Sequence, residues 1–149
     1  MTKPSTYLPA GMPAPVPAAD GLDAPYWEGT RRGALMVQRC GSCDTWQWGP
    51  EWLCHHCQSF DMQWRPIAGT GLIYSWERPW HPVHPALRGH GPYTAVLVEL
   101  PAAGNIRMLG NLIGPADQAV GIGAAVEAVF EPHDDAALPY TLVQWRLLG

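Results

Sequence analysis

Four cysteines in two closely spaced pairs constrain the fold of this chain more than any other feature. The pairs are CGSC and CHHC, with ten residues between them, and their cysteines are Cys40, Cys43, Cys54 and Cys57. Each C-x-x-C places two thiolates on one tight turn, and two such knuckles facing each other form a closed tetrahedral site that suits Zn²⁺. Disulfides and a thioredoxin-type redox pair are the alternatives, although a redox pair would account for only one C-x-x-C. We predict a structural Zn²⁺ held by all four sulfurs.

A four-cysteine site leaves no coordination position for water or substrate, so we expect it to fold the chain rather than to catalyse. Such an ion stabilises a segment too short to have its own core. Apolar runs at residues 35–39 and 62–65 flank the pairs and predict the strands of a zinc ribbon over residues 35–67. His55 and His56 lie between the last two cysteines, where we expect exposed side chains, with replacement of a cysteine ligand as the alternative.

The segment before the ribbon divides into a tail and a short helix. Prolines and alanines dominate residues 1–19. This composition predicts a tail that is disordered or that lies along the surface of a partner protein. Residues 20–34 predict one short helix, capped by Asp23, with Pro25 in the first turn and Gly33 at the end. The first residues lack the basic opening and compact apolar run of a signal peptide, so we expect a cytoplasmic location.

After the ribbon, apolar residues recur at every second position, which is typical of β-strands. Five such runs are separated by turn residues, and no helical pattern is long enough for a parallel crossover. Five short antiparallel strands close most readily into an OB-type barrel, with a sandwich as the alternative. We therefore predict a mainly β chain with an OB-type barrel over residues 68–149. The five runs are residues 70–79, 93–100, 105–113, 124–131 and 139–148.

A proline-rich connection at residues 79–92 separates the first two barrel strands. It contains His81, His84 and His90 and no acidic residue. Stiff loops of this length are often functional, so we predict a partner-docking loop. A second metal site or a general base built from these histidines is the alternative.

The charge balance argues against a nucleic-acid-binding protein. The net charge is −4 and Lys3 is the only lysine, whereas proteins that bind phosphate backbones are usually basic. OB barrels and zinc ribbons nevertheless both occur in single-strand-binding modules, so this function stays open as an alternative.

The succession of aromatic helix, four-cysteine ribbon and five-stranded barrel resembles the zinc-ribbon/OB-fold family known as domain of unknown function 35 (DUF35). The resemblance covers about residues 22–148. It is carried by YWEGTRRGALMVQRC, CGSC, CHHC, GTGLIYSW, YTAVLVEL, LGNLIG and VGIGAAVEAVFE.

The resemblance implies an accessory subunit of an acyl-CoA enzyme. The usual partners are thiolase-superfamily proteins: β-ketothiolases, acyltransferases and the lipid-transfer-protein-like aldolases of steroid side-chain breakdown. Other members accompany acyl-CoA hydratases. It implies that the barrel docks a catalytic subunit, in an α2β2 heterotetramer, and that the complex acts on a CoA thioester. The many aromatic residues favour a bulky acyl group, such as a steroid side chain or an aromatic acyl group, with a short β-ketoacyl group as the alternative.

Within such a complex, this chain would contribute binding and positioning. Aromatic rings stack on adenine and arginines pair with phosphates, so we expect a cluster of both types to contact CoA. The candidate residues are Arg31, Arg32, Arg39, Trp46, Trp48 and Trp52.

The chain lacks the groups that thiolase or aldolase chemistry requires. A thiolase needs a free nucleophilic cysteine, and a Schiff-base aldolase needs a buried lysine. All four cysteines are assigned to the metal, and Lys3 lies in the tail. GTG at residues 69–71 is better explained as the start of a strand than as a phosphate loop. We therefore expect no catalytic residue in this chain.

Overall fold

One short α-helix and eight β-strands follow each other in a computed structural model that describes residues 6–149. No helix within these residues is long and apolar enough to cross a membrane. The elements are α1 (Ala24–Arg31), β1 (Leu35–Cys40), β2 (Trp46–Gln47), β3 (Met62–Ile67), β4 (Thr70–Glu77), β5 (Ala95–Leu100), β6 (Ile106–Asn111), β7 (Ala125–His133) and β8 (Tyr140–Leu147), with 3-10 turns at Pro85–Leu87 and Pro101–Ala103. The strands form two antiparallel sheets, of order β2-β1-β3 and β6-β5-β4-β7-β8.

The helix ends as predicted but is not capped as predicted. Gly33 has a left-handed φ of 75°, which ends α1. Asp23 occupies the N-cap position, yet its side chain accepts no hydrogen bond from the first-turn amides. Its backbone (φ −98°, ψ 6°) is not in the extended conformation that aims a capping side chain at those amides. The Asp23 carboxylate instead accepts hydrogen bonds from the Trp27 indole N–H (3.0 Å) and the Ala18 N–H (2.9 Å).

The ribbon sheet confirms both predicted strands and shares its apolar residues with the barrel. β1 and β3 pair over their full lengths, from Leu35 opposite Ile67 to Cys40 opposite Met62. Leu35 and Val37 are buried in the same apolar cluster as the barrel residues. Burying a side chain of this size stabilises a fold by about 1.5–3 kcal/mol, so β1 anchors the ribbon to the barrel.

The second sheet closes into the predicted barrel and excludes the sandwich. Beyond the ends of the five-strand order, Leu112 forms a parallel bridge with Trp145, and the Ile113 N–H donates to the Trp145 carbonyl at 2.8 Å. This parallel contact between the third and fifth barrel strands is the closure of an OB barrel. Trp145 is fully buried, and a Cβ on Gly110 would lie 2.7 Å from its indole.

The outer surface of the barrel retains several large apolar side chains. On β5, Val96, Val98 and Leu100 point inward and are fully buried. On neighbouring β4, Leu72, Tyr74 and Trp76 are each about two-fifths exposed. Eight tryptophans are more than one such core accommodates, and Trp76 is one of those that reach the surface.

The N-terminal segment lies against the barrel at Tyr7. The Tyr7 N–H donates to Glu131 (2.9 Å), and the Tyr7 hydroxyl accepts from the Thr94 N–H (3.1 Å). Residues 6–19 form neither helix nor strand. These contacts are at odds with a freely moving chain around Tyr7, whereas disorder elsewhere in the tail stays a prediction. Residues 1–5, which include Lys3, lie outside the described residues.

The close approach of two barrel strands generates a prediction about Gly71. A Cβ at this position would lie 2.6 Å from the Glu99 carbonyl oxygen and 2.5 Å from Val98 Cγ1. We expect Gly71→Ala to lower the free energy of unfolding by about 1–3 kcal/mol, measured by urea denaturation, because the strands must separate. Gly121→Ala is the control, because its Cβ would enter open space. Equal stability of the two variants would contradict this packing.

Candidate metal centre and its surroundings

The four cysteine sulfurs converge at one end of the ribbon sheet. All four lie within 4.8 Å of one another. Cys40 Sγ is 3.6 Å from Cys57 Sγ, and Cys43 Sγ is 3.7 Å from Cys54 Sγ. Tetrahedral Zn²⁺ with Zn–S bonds of about 2.3 Å places its sulfurs about 3.8 Å apart. The donor set and its spacing therefore fit a zinc ion.

The two knuckles have the same backbone hydrogen bonds. In the first, Asp44 N–H donates to the Cys40 carbonyl at 3.0 Å; in the second, Gln58 N–H donates to the Cys54 carbonyl at 2.9 Å. Asp44 and Gln58 have left-handed φ values of 64° and 62°, a conformation that usually selects glycine. The repeated turn aims the paired thiols at a common centre.

Polar hydrogens surround the sulfurs and favour the thiolate form that binds metal. The Ser42 N–H lies 3.4 Å from Cys40 Sγ, and the His56 N–H lies 3.4 Å from Cys54 Sγ. The hydroxyl and then the backbone N–H of Thr45 lower the pKa of the Cys43 thiol. For Cys57 the Ser59 backbone N–H acts in the same direction, but the neighbouring Cys43 sulfur and burial outweigh it and raise the pKa of that thiol. A cation between the sulfurs favours the thiolate form of all four.

The centre is closed on its inner side. Cys40 and Cys54 are fully buried, Cys43 is half-buried and Cys57 is exposed. His55 and His56 are exposed, as predicted for knuckle residues. Within residues 6–149, the four cysteines are the single group of three or more potential metal ligands that converges. A closed sulfur set holds the chain together and leaves no open coordination position.

The histidines of the 79–92 connection do not form a second metal site in the part of the chain that the structure describes. His81 and His90 are exposed. His84 Nδ1 accepts the Ala86 N–H at 3.1 Å and so caps the 3-10 turn Pro85–Leu87. A role of this loop in docking stays a prediction.

His133 is largely buried at the end of β7. Its side chain is 18% exposed, and its Nε2 lies 2.7 Å from Glu131, whose side chain is 10% exposed. The ring stacks on Tyr140 of β8 at 4.5 Å. Glu131 also accepts hydrogen bonds from the Tyr7 N–H and the Gln144 amide, so β8 and the N-terminal segment both contact this pair.

Two of the three predicted ribbon tryptophans pack inward. Trp46 and Trp48 contact the apolar core. Trp48 lies 5.0 Å from the ring of Tyr26, and burial raises the pKa of Tyr26 to about 12. Trp52 is 55% exposed, and its indole N–H donates to Asp20 at 3.0 Å. Trp52 is thus the ribbon tryptophan that is available to a partner or ligand.

The predicted arginines are only partly brought together with these tryptophans. Arg39 lies over the Trp46 ring at 5.5 Å and pairs with Asp44 at 3.2 Å. Arg31 and Arg32 are exposed at the end of α1. Contact of any of these residues with CoA stays a prediction.

Two buried glutamines beside the centre, Gln38 and Gln47, were not predicted from the sequence. They are 2% and 3% exposed, respectively. A single glutamine has the same sequence signature whether it is buried or exposed.

Comparison with known proteins identifies both parts of the chain. Residues 27–63 match the ChsH2 rubredoxin-like zinc ribbon domain, and residues 64–131 match the ChsH2 C-terminal OB-fold domain. A chain of the solved Ltp2–ChsH2(DUF35) aldolase is 35% identical, with a TM-score of 0.73, over 89% of this chain and 98% of that one. This chain belongs to the ChsH2 (DUF35) family.

Other matches cover different shares of this chain. A DUF35-family protein of unknown function from Sulfolobus solfataricus has a TM-score of 0.56 at 14% identity, over 84% of each chain. The probable enoyl-CoA hydratase alpha subunit of Thermomonospora curvata is 38% identical over 112 residues. The match covers 75% of this chain but 34% of the hydratase subunit. A putative glutamate–cysteine ligase 2 from Pseudomonas fluorescens is 36% identical over 76 residues, which cover 50% of this chain and 19% of that protein.

The ligand assignment predicts that substitution of Cys54 releases zinc and that substitution of the adjacent His55 does not. Cys54→Ser should lose most of its zinc on dialysis against a chelator, because three sulfurs remain, whereas His55→Ala should keep it. Elemental analysis of both purified variants measures the difference. Equal zinc loss from the two would place His55 among the ligands.

Proposed function

We propose that this ChsH2-family chain is a non-catalytic subunit of a complex with a thiolase-superfamily enzyme that acts on CoA thioesters. The observation that carries the proposal is the match to the Ltp2–ChsH2(DUF35) aldolase, which spans nearly the whole of that relative's chain. The partner carries out retro-aldol or β-ketothiolase cleavage, and this chain stabilises it and helps to form the acyl-CoA entrance. The family resemblance also supports an α2β2 assembly.

The side-chain chemistry of the chain supports an accessory role. Its four cysteines are the metal-binding group, and its single lysine is Lys3. Residues 6–149 therefore supply no lysine amine for covalent catalysis, and their thiols all belong to the metal-binding group. The reacting groups belong to the partner, and this chain contributes substrate positioning, which accelerates a reaction without supplying a reacting group.

The barrel surface supports docking. Leu109 on β6 is 71% exposed, and the cross-strand neighbour of Leu109 is Leu97 on β5. Trp80 and Val83 in the 79–92 connection are 75% and 71% exposed. Exposed large apolar side chains are typical of protein interfaces, so the β5–β6 face and the 79–92 connection are the proposed contacts with the catalytic subunit.

A hydratase partner is the second candidate. It is favoured by the 38% identity to the probable enoyl-CoA hydratase alpha subunit, of which this chain spans about a third. The two candidates share the CoA thioester and differ in the reaction that the partner performs.

The accessory role predicts no turnover by the isolated, zinc-loaded chain. Retro-aldol and thiolytic activity should be at background with acyl-CoA substrates and should arise on co-expression with the catalytic subunit. Product formation followed by mass spectrometry measures both. Turnover that copurifies with the isolated chain would contradict the proposal.

The CoA assignment predicts a KM effect in the assembled complex. Arg31→Ala with Arg32→Ala should raise the KM for acyl-CoA about tenfold, with little change in kcat, because loss of a charge-assisted phosphate contact costs about 1.5–3 kcal/mol. Arg146→Ala is the control, because Arg146 pairs with Glu127 on the barrel. An unchanged KM in the double variant would remove these arginines from the site.

A further inference from the structure

The two buried glutamines lie directly opposite each other in the ribbon sheet. Gln38 on β1 is the register partner of Gln47 on β2. Opposed residues in an antiparallel ladder project from the same face, so both amides leave the sheet on one side. The segment that covers this side connects β2 to the second cysteine pair.

The Gln38 amide forms two hydrogen bonds with one residue of that segment. Its Nε2 donates to the Glu51 carbonyl at 3.0 Å, and its Oε1 accepts the Glu51 N–H at 2.9 Å. This is the exchange of N–H and C=O bonds that a neighbouring β-strand would make.

The Gln47 amide makes the equivalent pair of bonds two residues further on. Its Nε2 donates to the Leu53 carbonyl at 3.2 Å, and its Oε1 accepts the His55 N–H at 2.9 Å. These bonds bracket Cys54, the first ligand of the second knuckle. Cys54 is therefore fixed from both sides by one buried side chain.

The short second strand and the burial of both glutamines make these amide hydrogen bonds important for holding residues 51–55 in place. β2 contains only two residues, so the segment after it has little backbone ladder of its own. Both glutamines are buried, where an unpaired amide or peptide group costs about 1–3 kcal/mol. Displacement of residues 51–55 breaks four hydrogen bonds and leaves two buried amides without their partners.

We propose that Gln38 and Gln47 are positioning residues for the metal centre. Their four amide hydrogen bonds hold residues 51–55, and with them the second knuckle, opposite the first knuckle before the metal binds. The centre is thereby preorganised. Because the ribbon fold already orders this segment, metal binding has to offset a smaller loss of chain entropy. This inference concerns metal binding and is independent of the partner enzyme.

Amide hydrogen exchange in the full-length chain tests the proposal without a mutation. The metal is removed with a chelator under reducing conditions, and exchange is followed by NMR. The Glu51 and His55 amides should remain protected at least tenfold relative to an unstructured peptide. Exchange at the unstructured rate would overturn the proposal, because the metal alone would then order the segment.

Glutamine-to-methionine variants provide the second measurement, since methionine fills a similar volume without the amide. Gln47→Met should weaken zinc binding by about 10–100-fold in chelator competition. This is the range found when a hydrogen-bond partner that orients a metal ligand is removed from other metal sites. Gln47→Met should also abolish His55 amide protection in the metal-free chain. Gln63→Met is the matched control on β3, because the Gln63 amide forms its hydrogen bonds with the exposed side chains of Asp61 and Arg65.

Cobalt substitution separates positioning from a general loss of fold. At saturating Co²⁺, Gln47→Met should regain the tetrahedral thiolate spectrum of the unmodified chain and differ only in the concentration of Co²⁺ required. Zinc affinities of Gln38→Met and Gln47→Met equal to that of Gln63→Met would overturn the proposal. So would a Gln47→Met spectrum that differs from the unmodified one at saturation, because the altered ligand geometry would show a structural defect rather than lost preorganisation.

Discussion

The convergence of four sulfurs within 4.8 Å is the constraint on which the ribbon depends. Thiolates at this separation repel one another unless a cation lies between them. A tetrahedral dication removes that repulsion and crosslinks two turns that are separated by ten residues. In the outer part of the ribbon, β2 is short and the second knuckle is largely exposed. There the ion acts together with the hydrogen bonds that Gln38 and Gln47 make to residues 51–55.

The inner part of the ribbon is stabilised differently. Leu35 and Val37 on β1 are buried with the residues of the barrel, so a single apolar core spans both parts of the chain. The barrel closes through the contact of Leu112 with Trp145. The two knuckles are thus joined through β1 to the core of the barrel.

Local patterns made much of the fold predictable. Cysteine spacing indicates a zinc ribbon because two residues between thiols place both on one turn, and period-two alternation indicates strands because side chains alternate between faces. Position within a turn was less informative. Asp23 occupies the expected cap position, but its carboxylate binds Trp27 and Ala18, partners that depend on how the preceding chain folds back.

The roles of Gln38, Gln47 and His133 could not be predicted for the same reason. Their partners lie on segments that meet them only in the folded chain, and an isolated amide or imidazole has the same sequence signature whether buried or exposed. The 79–92 connection illustrates the converse case. Its three histidines suggested a possible metal site, yet the one with a defined hydrogen bond, His84, caps a turn.

The central claim is that every sulfur of this chain is occupied in holding the ribbon together. Titration of the native, metal-replete chain with a chromogenic disulfide reagent tests it most directly. The account predicts no rapidly reacting thiol, although Cys57 is exposed, and four reacting thiols after chelation and denaturation. A thiol that reacts rapidly in the native chain while zinc stays bound would contradict it, since that cysteine would be free for chemistry.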